Sequence, residues 1–491
     1  MNQPCACGCS RRDFLATVSL TAAGVALHGL ALPSFAQPLE PRKRTGATVR
    51  VLFLYPPSAQ FAKDPDGWWS WPGNDYDAEG RQRQFAGQLR KMEKSLSLKL
   101  DLDDKPVATN DDVARLAKEI EAQRPDGLLL VMFYNRSLPH ADALIKAAQQ
   151  AGIPTVFYVG LGVKHGPVTQ YRVPGLYFIQ SLDNFAAIES GLRMINTRKL
   201  LSQSRLLRVN EAKAASDEME KFLGITLRTV PFARYADLFQ KVAVGNEARR
   251  LIARLKRGAT ELRQVTAEAL DNAMRAHFAL KQLLAEEQAD GLTMNCLRRG
   301  MLKPCISFSL LNGDLVPAAC ENDRDAVCGQ LLGQLLTGQP GFQHNPAFDT
   351  ERNHYYASHC TCATKLRGPN GGELPYLLRR FAHTNEGSCA IQVFWKEGDP
   401  VTMIHYYSRT EPSLDVYAGR VVKSHAMPPA GGCTTNVEIE LTDRRDACEV
   451  KGHHNLLFCG DHARRFREFA NLHKLPLATA HLGVELTGKI R

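Results

Sequence analysis

At 491 residues, 44% hydrophobic, 23% charged and 8% aromatic, the chain has a globular composition and is too long for a single core. Its formal net charge of +10 does not point to nucleic acid. The basic residues fall in local runs, Arg11 and Arg12, Arg42 to Arg44, and Arg249 to Arg257, with no stripe of interleaved aromatics, so no nucleic-acid partner is expected.

Residues 1–36 read as an export leader. CSRRDFLATVSL (9–20) resembles a twin-arginine translocation signal, with Arg11 and Arg12 followed by one spacer and Phe14-Leu15. Ser34-Phe35-Ala36 offers small residues where signal peptidase inspects the chain, which places cleavage before Gln37. The resemblance implies passage of a folded protein through the Tat translocase and a periplasmic or secreted destination. The apolar stretch ending at Leu32 is short for a membrane span. Cys5, Cys7 and Cys9 belong to the leader, whereas every other cysteine falls between Cys296 and Cys459. An exported chain can oxidise them, but spacing alone does not give a pairing, and Cys360 and Cys362 stand too close for a zinc-type CxxC.

Residues 47–200 alternate as an α/β domain does. TVRVLFLYPP (48–57) is a strand running into a turn, residues 80–96 have helical spacing, and LKLDL is a short strand. A helix over 111–123, capped by Asn110 or Asp111, strand DGLLLVMFY, a helix from His140 and strand IPTVFYVG follow. Near-continuous apolar strands predict a parallel sheet covered on both faces, a flavodoxin-like sandwich. No GxGxxG or P-loop follows the first strand, so nothing supports nucleotide binding. Between that strand and the next helix, DPDGWWSWPGND carries Trp68, Trp69 and Trp71, which can stack on a sugar face or simply pack the loop or a subunit contact.

A second flavodoxin-like α/β domain spans 201–342, with strand RLLRV, a helical stretch over about 260–288, apolar ADGLTMNCL and the helix CGQLLGQLLTG. Residues 343–491 change to short alternating strands, CAIQVFW, VTMIHYY and TNVEIEL, separated by turn residues, and read as an antiparallel, barrel-like β domain.

In ACENDRDAVCGQLL (319–332), Glu321 and Asp323 stand where a strand hands over to a helix. Carboxylates there can bind a hard cation or transfer protons, or simply satisfy the helix N-terminus; taken alone, the capping role is favoured. His359 ends YYASH, and His453 and His454 open GHHNLLFCGDH (452–462). Adjacent strand residues face opposite sides, so only one of that pair can enter a given site. Glu321, His359 and one of the two make an oxygen and imidazole set suited to a divalent ion such as manganese.

ENDRDAVCGQLL, ASHC and GHHNLLFCGDHARRFREFANLHKL, in that order, resemble the pattern of the L-fucose and L-arabinose isomerase superfamily. The three-part organisation agrees, so the resemblance covers most of the chain beyond the leader. It implies a homo-oligomer, with Glu321 as metal ligand and proton-transfer group and His359 and His454 as the histidine ligands. The metal, usually manganese, holds a sugar's oxygens while two carboxylates exchange a proton through an enediol, and Asp323 is the candidate catalytic partner of Glu321. The arabinose enzymes carry a second glutamate seventeen residues before the first ligand histidine, where this chain has Phe342, with His344, Asp349 and Glu351 as available substitutes; the fucose-type branch uses an aspartate among its ligands, for which Asp314 and Asp323 are the stand-ins. Two readings follow: an exported metal-dependent sugar isomerase or related proton-transfer enzyme, and a carbohydrate-binding or sensor protein on the same scaffold without catalysis.

Overall fold

The structure is a computed structural model that describes residues 42–61, 76–383, 387–427 and 431–478. The leader, including Arg11 and Arg12, and the loop bearing Trp68, Trp69 and Trp71 lie outside the described residues. The fold is two parallel α/β sheets followed by a closed antiparallel barrel.

The first sheet is β1 (Thr48–Leu54), β2 (Lys99–Leu102), β3 (Gly127–Met132), β4 (Thr155–Gly160) and β5 (Leu176–Ser181), all parallel in the order β2-β1-β3-β4-β5. After the short α1 (Ser58–Phe61) come α2 (Ala78–Leu96), α3 (Asn110–Gln123), α4 (Leu138–Gln150) and α5 (Phe185–Ser202). Alternate strand residues serve opposite faces: Val49, Val51 and Phe53 pack with α2 and α5, Leu52 and Leu54 with α3 and α4. That double burial is why β3 and the Val51–Leu54 half of β1 are apolar without a break. The cap of α3 is Thr109, not Asn110 or Asp111: its hydroxyl accepts from Asp112 N–H, and the Asp112 carboxylate reaches back to Thr109 N–H in a capping box.

The second sheet runs β11-β10-β6-β8-β7 from β6 (Arg205–Asn210), β7 (Ser216–Met219), β8 (Thr226–Pro231), β10 (Gly291–Met294) and β11 (Ala318–Cys320), parallel except for the edge strand β7. The basic run forms α7 (Asn246–Gly258), after α6 (Phe232–Lys241). The helical stretch expected from about 260 is interrupted at its start. Leu262 and Arg263 form β9, and Thr266 then caps α8 (Ala267–Glu286). α9 (Cys305–Gly313) precedes β11, and α10 (Arg324–Thr337) leaves it.

The barrel closes as β12-β13-β18-β17-β16-β19, from β12 (Phe342–Asp349), β13 (His354–His359), β16 (Pro400–Tyr407), β17 (Ser413–Ser424), β18 (Thr435–Leu441) and β19 (Asn455–Cys459). CAIQVFW does not join it. Its strand β15 (Cys389–Val393) pairs with β14 (Tyr376–Arg380), which takes β9 as its other neighbour. The final helix, α11 (Ala463–His473), packs against β5 and β17, and with α10 makes one apolar core continuous from the first sheet to the barrel. All ten described cysteines are free thiols, so no disulfide holds the described residues together. Among them, no helix is long and apolar enough to cross a membrane.

Candidate functional site

The C-terminal end of β11 meets the barrel at its β12 and β19 strands. Gln343 fixes that end, accepting from Cys320 N–H at 2.7 Å, while Asn322 N–H donates to the Met294 carbonyl at 3.0 Å. Between them the chain turns through two left-handed residues, Glu321 at φ 64° and Asn322 at φ 54°. Such a conformation is uncommon for glutamate and is retained only where the surroundings over-determine it. The turn directs the Glu321 carboxylate toward the two histidines instead of along the strand.

His359 is the last residue of β13 and His454 immediately precedes β19; both are buried, with exposures of 3% each. Of the adjacent pair, His453 faces solvent and His454 faces inward. His359 Nε2 lies 3.6 Å from Glu321 Oε1, and His454 Nε2 lies 3.5 Å from Glu321 Oε2. The two rings meet edge to face at 5.4 Å, and one donor atom from each of Glu321, His359 and His454 fits within a sphere of contacts no longer than 4.8 Å.

Asp323 stands behind this trio. Its Oδ1 accepts from Ala326 N–H at 2.9 Å as the cap of α10, and its Oδ2 accepts from His454 Nδ1–H at 2.7 Å. With Nδ1 protonated, the His454 Nε2 lone pair points into the site, where it is buried and has no hydrogen-bond partner. A bare lone pair facing a carboxylate is repulsive unless a proton or a cation lies between them. The donor set of one carboxylate and two imidazoles therefore fits a divalent transition metal, with Asp323 orienting His454 in the manner common for ligand histidines. His405 holds the His454 backbone from β16, donating from Nδ1 to its carbonyl at 2.9 Å, and Gly452 (φ 91°) packs so tightly on that ring that a side chain there would overlap it.

The contact from His359 holds Glu321 below the usual carboxylate range, overcoming burial. Burial works against ionisation of Asp323, but the His454 and Ala326 hydrogen bonds outweigh it and its acidity also increases. Burial likewise disfavours a charged His359, yet Cys320 and Glu321 pull its pKa well above the ordinary value. A bound cation and that proton would compete for the same nitrogen.

Of the candidate substitute carboxylates and histidine, Asp323 touches the trio through the His454 ring, whereas the others stand elsewhere. Phe342 is buried beside His344 and Trp395. Both His344 nitrogens are engaged at 2.9 Å, by the Phe342 carbonyl and by the Tyr355 hydroxyl. Asp349 accepts from the backbone of Glu351 and Arg352 at the outer end of the β12–β13 hairpin, and Asp314 is exposed, 3.7 Å from Lys365. Trp68, Trp69 and Trp71 are outside the described residues.

Sequence reasoning missed Gln343, His405, Lys303 and His383. The last two line a hollow of about 160 Å³ beside Glu321 and His359, together with Cys296, Cys305, Cys360 and Cys433. The signal for this wall was the confinement of every cysteine beyond the leader to the last two-fifths of the chain. A wider groove of about 820 Å³ continues outward from Asn345, His383 and Cys433 to His354, His425 and Glu438.

No protein-family model and no curated protein matches the chain. Among solved structures, a mutant XylFII–LytSN complex is similar over 60% of this chain and 93% of its own, at 9% identity and a TM-score of 0.16. A periplasmic sugar-binding protein of a sugar transporter from Legionella pneumophila covers 59% of this chain and 94% of its own, at 10% identity and 0.16. A carbohydrate transporter protein from Acidothermus cellulolyticus bound to myo-inositol covers 60% and 89%, at 12% and 0.15. Likeness at this level carries no argument about what this chain does.

Proposed function

We propose that the protein is an exported metal-dependent protein of the fucose and arabinose isomerase type, acting on a sugar or sugar derivative at a centre built by Glu321, His359 and His454. The observation that carries this reading is the buried, unpartnered His454 Nε2 directed at the Glu321 carboxylate. When bound, a divalent cation such as manganese supplies Lewis acidity toward neighbouring sugar oxygens. Asp323 holds the His454 tautomer, and Gln343 and the left-handed turn hold Glu321 in place. The groove running out past Asn345 to His354 and His425 offers a polar path for a hydroxylated ligand.

A second reading, carbohydrate binding without turnover, is favoured by one observation. Phe342 replaces the second carboxylate that proton exchange requires, and Asp323 is already committed to two hydrogen bonds. Elemental analysis of protein purified from the exported fraction, with Glu321→Ala and His454→Ala alongside, tests the metal centre. Incorporation of deuterium from heavy water into a panel of aldoses and ketoses separates the readings. Exchange that requires Glu321 supports catalysis, whereas metal-dependent sugar binding with no exchange supports the second reading; absence of a stoichiometric divalent metal sinks the first.

A further inference from the structure

Lys303 lines the same hollow of about 160 Å³ as Glu321 and His359. It is 7% exposed, and lysine is seldom buried that far without a carboxylate partner. Among the described residues it has none. Its ammonium donates to the Cys296 carbonyl at 3.2 Å and stands 4.6 Å from the centre of the Phe381 ring. A carbonyl and a ring face soften a positive charge without neutralising it, and an ammonium has three N–H groups to place. The backbone that carries it is held firmly. Lys303 follows a single 3-10 turn, Gly300–Leu302, whose last carbonyl accepts from the buried Tyr235 hydroxyl at 2.8 Å, and α9 begins two residues later.

The remaining walls do not answer this charge. Glu321 is the one carboxylate on the hollow among the described residues, and it belongs to the trio with His359 and His454. The hollow shares Asn345, His383 and Cys433 with the outer groove, whose carboxylates are already engaged. Glu438 accepts from His354 Nδ1–H at 2.7 Å and from His425 Nε2–H at 2.6 Å, and Asp349 accepts from the backbone of Glu351 and Arg352. An anion entering along this path thus meets satisfied carboxylates and ends beside an ammonium with no counter-charge. A divalent ion at the Glu321 centre would deepen the positive excess.

We propose that the ligand of this site is an acidic sugar derivative, with Lys303 receiving its carboxylate or phosphate while the Glu321 centre takes its hydroxyl oxygens. The inference rests on the reading of that centre as a sugar site and narrows the ligand from carbohydrates in general to anionic ones. Lys303 is then a specificity determinant. A neutral sugar would leave the ammonium buried and uncompensated, so the hollow selects against it as well as for the anion.

The test is calorimetric titration of the full chain, loaded with manganese(II), with matched ligands: D-glucuronate against D-glucose, D-galacturonate against D-galactose, and the 6-phosphates of both hexoses. At least one acidic ligand should bind roughly tenfold or more tighter than its neutral partner, the scale of a hydrogen bond to a charged group. Which acid does so tells carboxylate from phosphate. Lys303→Met should bring that ligand down to the affinity of its neutral partner without weakening the partner, and Lys303→Arg should keep most of the preference; a lysine that served packing alone would not move this ratio. Lys303→Gln covers the case in which the methionine variant does not fold. Equal affinities within every pair, or a preference that survives loss of the ammonium, would overturn the inference and leave the sugar site standing. If no sugar of either charge binds, the sugar reading of the Glu321 centre itself fails, and the inference falls with it.

Discussion

Asp323 and His454, 131 residues apart in the chain, are joined by a 2.7 Å hydrogen bond from the imidazole Nδ1–H to the carboxylate. The bond leaves the opposite nitrogen bare at the centre of the site, so one carboxylate both starts a helix and sets the donor face of a histidine.

Asp323→Asn should separate these two tasks. Asparagine caps helices about as well as aspartate, so stability should fall by less than about 1 kcal/mol, while losing the orienting carboxylate should weaken metal binding roughly 10- to 100-fold. Asp323→Ala should lose a further ~1 kcal/mol. Calorimetric titration with manganese(II) and thermal melts read the two effects; equal metal affinity in the asparagine variant and the wild type would contradict the orienting role.

Glycines in α10 set how closely that helix approaches the barrel. A Cβ at Gly329 would come 2.8 Å from Leu456, and one at Gly333 would overlap the Phe458 ring. Leu456 and Phe458 belong to β19, which His454 immediately precedes. Gly333→Ala should therefore cost about 1–3 kcal/mol by overpacking, despite alanine's higher helix propensity. Urea denaturation checks this, and Phe458→Leu in the same chain should recover part of the loss.

Tyr406 reaches from β16 to the second sheet's edge, where its hydroxyl donates to the fully buried Glu220 at 2.7 Å. Tyr406→Phe leaves that acceptor short of one partner and should destabilise the fold by about 1–3 kcal/mol. Equilibrium unfolding at neutral pH measures it; an unchanged midpoint would mean Glu220 is satisfied by the backbone of Phe222 and Leu223 alone.

Burial lowers the pKa of His473 to about 3, with its Nε2–H donating to the Met194 carbonyl at 3.1 Å. The folded state keeps this ring neutral while the unfolded chain protonates it below about 6.5, so unfolding takes up a proton and stability falls as pH drops from about 6.5 toward 3. The slope from this one group approaches about 1.4 kcal/mol per pH unit well below pH 6.5. His277, also near 3 through burial, adds in the same direction. In urea titrations from pH 7 to 4.5, His473→Gln should show a shallower loss than the wild type by one histidine's share; parallel curves would refute the assignment.

Local pattern was enough for much of this architecture. Val51 to Leu54 and Gly127 to Met132 are apolar on both faces because helices cover both, and that is visible as unbroken runs. One histidine of the 453–454 pair is buried and the other exposed, but both lie in the bend before β19 with their rings 4.4 Å apart, so strand alternation is not what orients them. What remained hidden depends on contacts between distant segments. Nothing near Glu321 announces two consecutive left-handed residues, because the strain is held by Gln343 and Met294 from other elements. The pairing of Leu262 and Arg263 with β14 joins residues over a hundred positions apart, and a two-residue strand has no periodicity to detect. The cysteines are conspicuous by distribution, but the 3.8 Å approach of Cys305 to Cys360 joins segments 55 residues apart and has no local signal.

Glu321 belongs to the second sheet, whereas His359 and His454 belong to the barrel, so no rigid element carries the whole trio. An ion held by all three would act as a clasp across that seam. Its binding free energy then adds to the work of parting the two layers, by RT ln(1 + [M]/Kd) for free metal [M]. Loading in the compartment where the chain folds would thus also decide how tightly the layers stay closed afterwards, and chelation would loosen the joint before it unfolded either side.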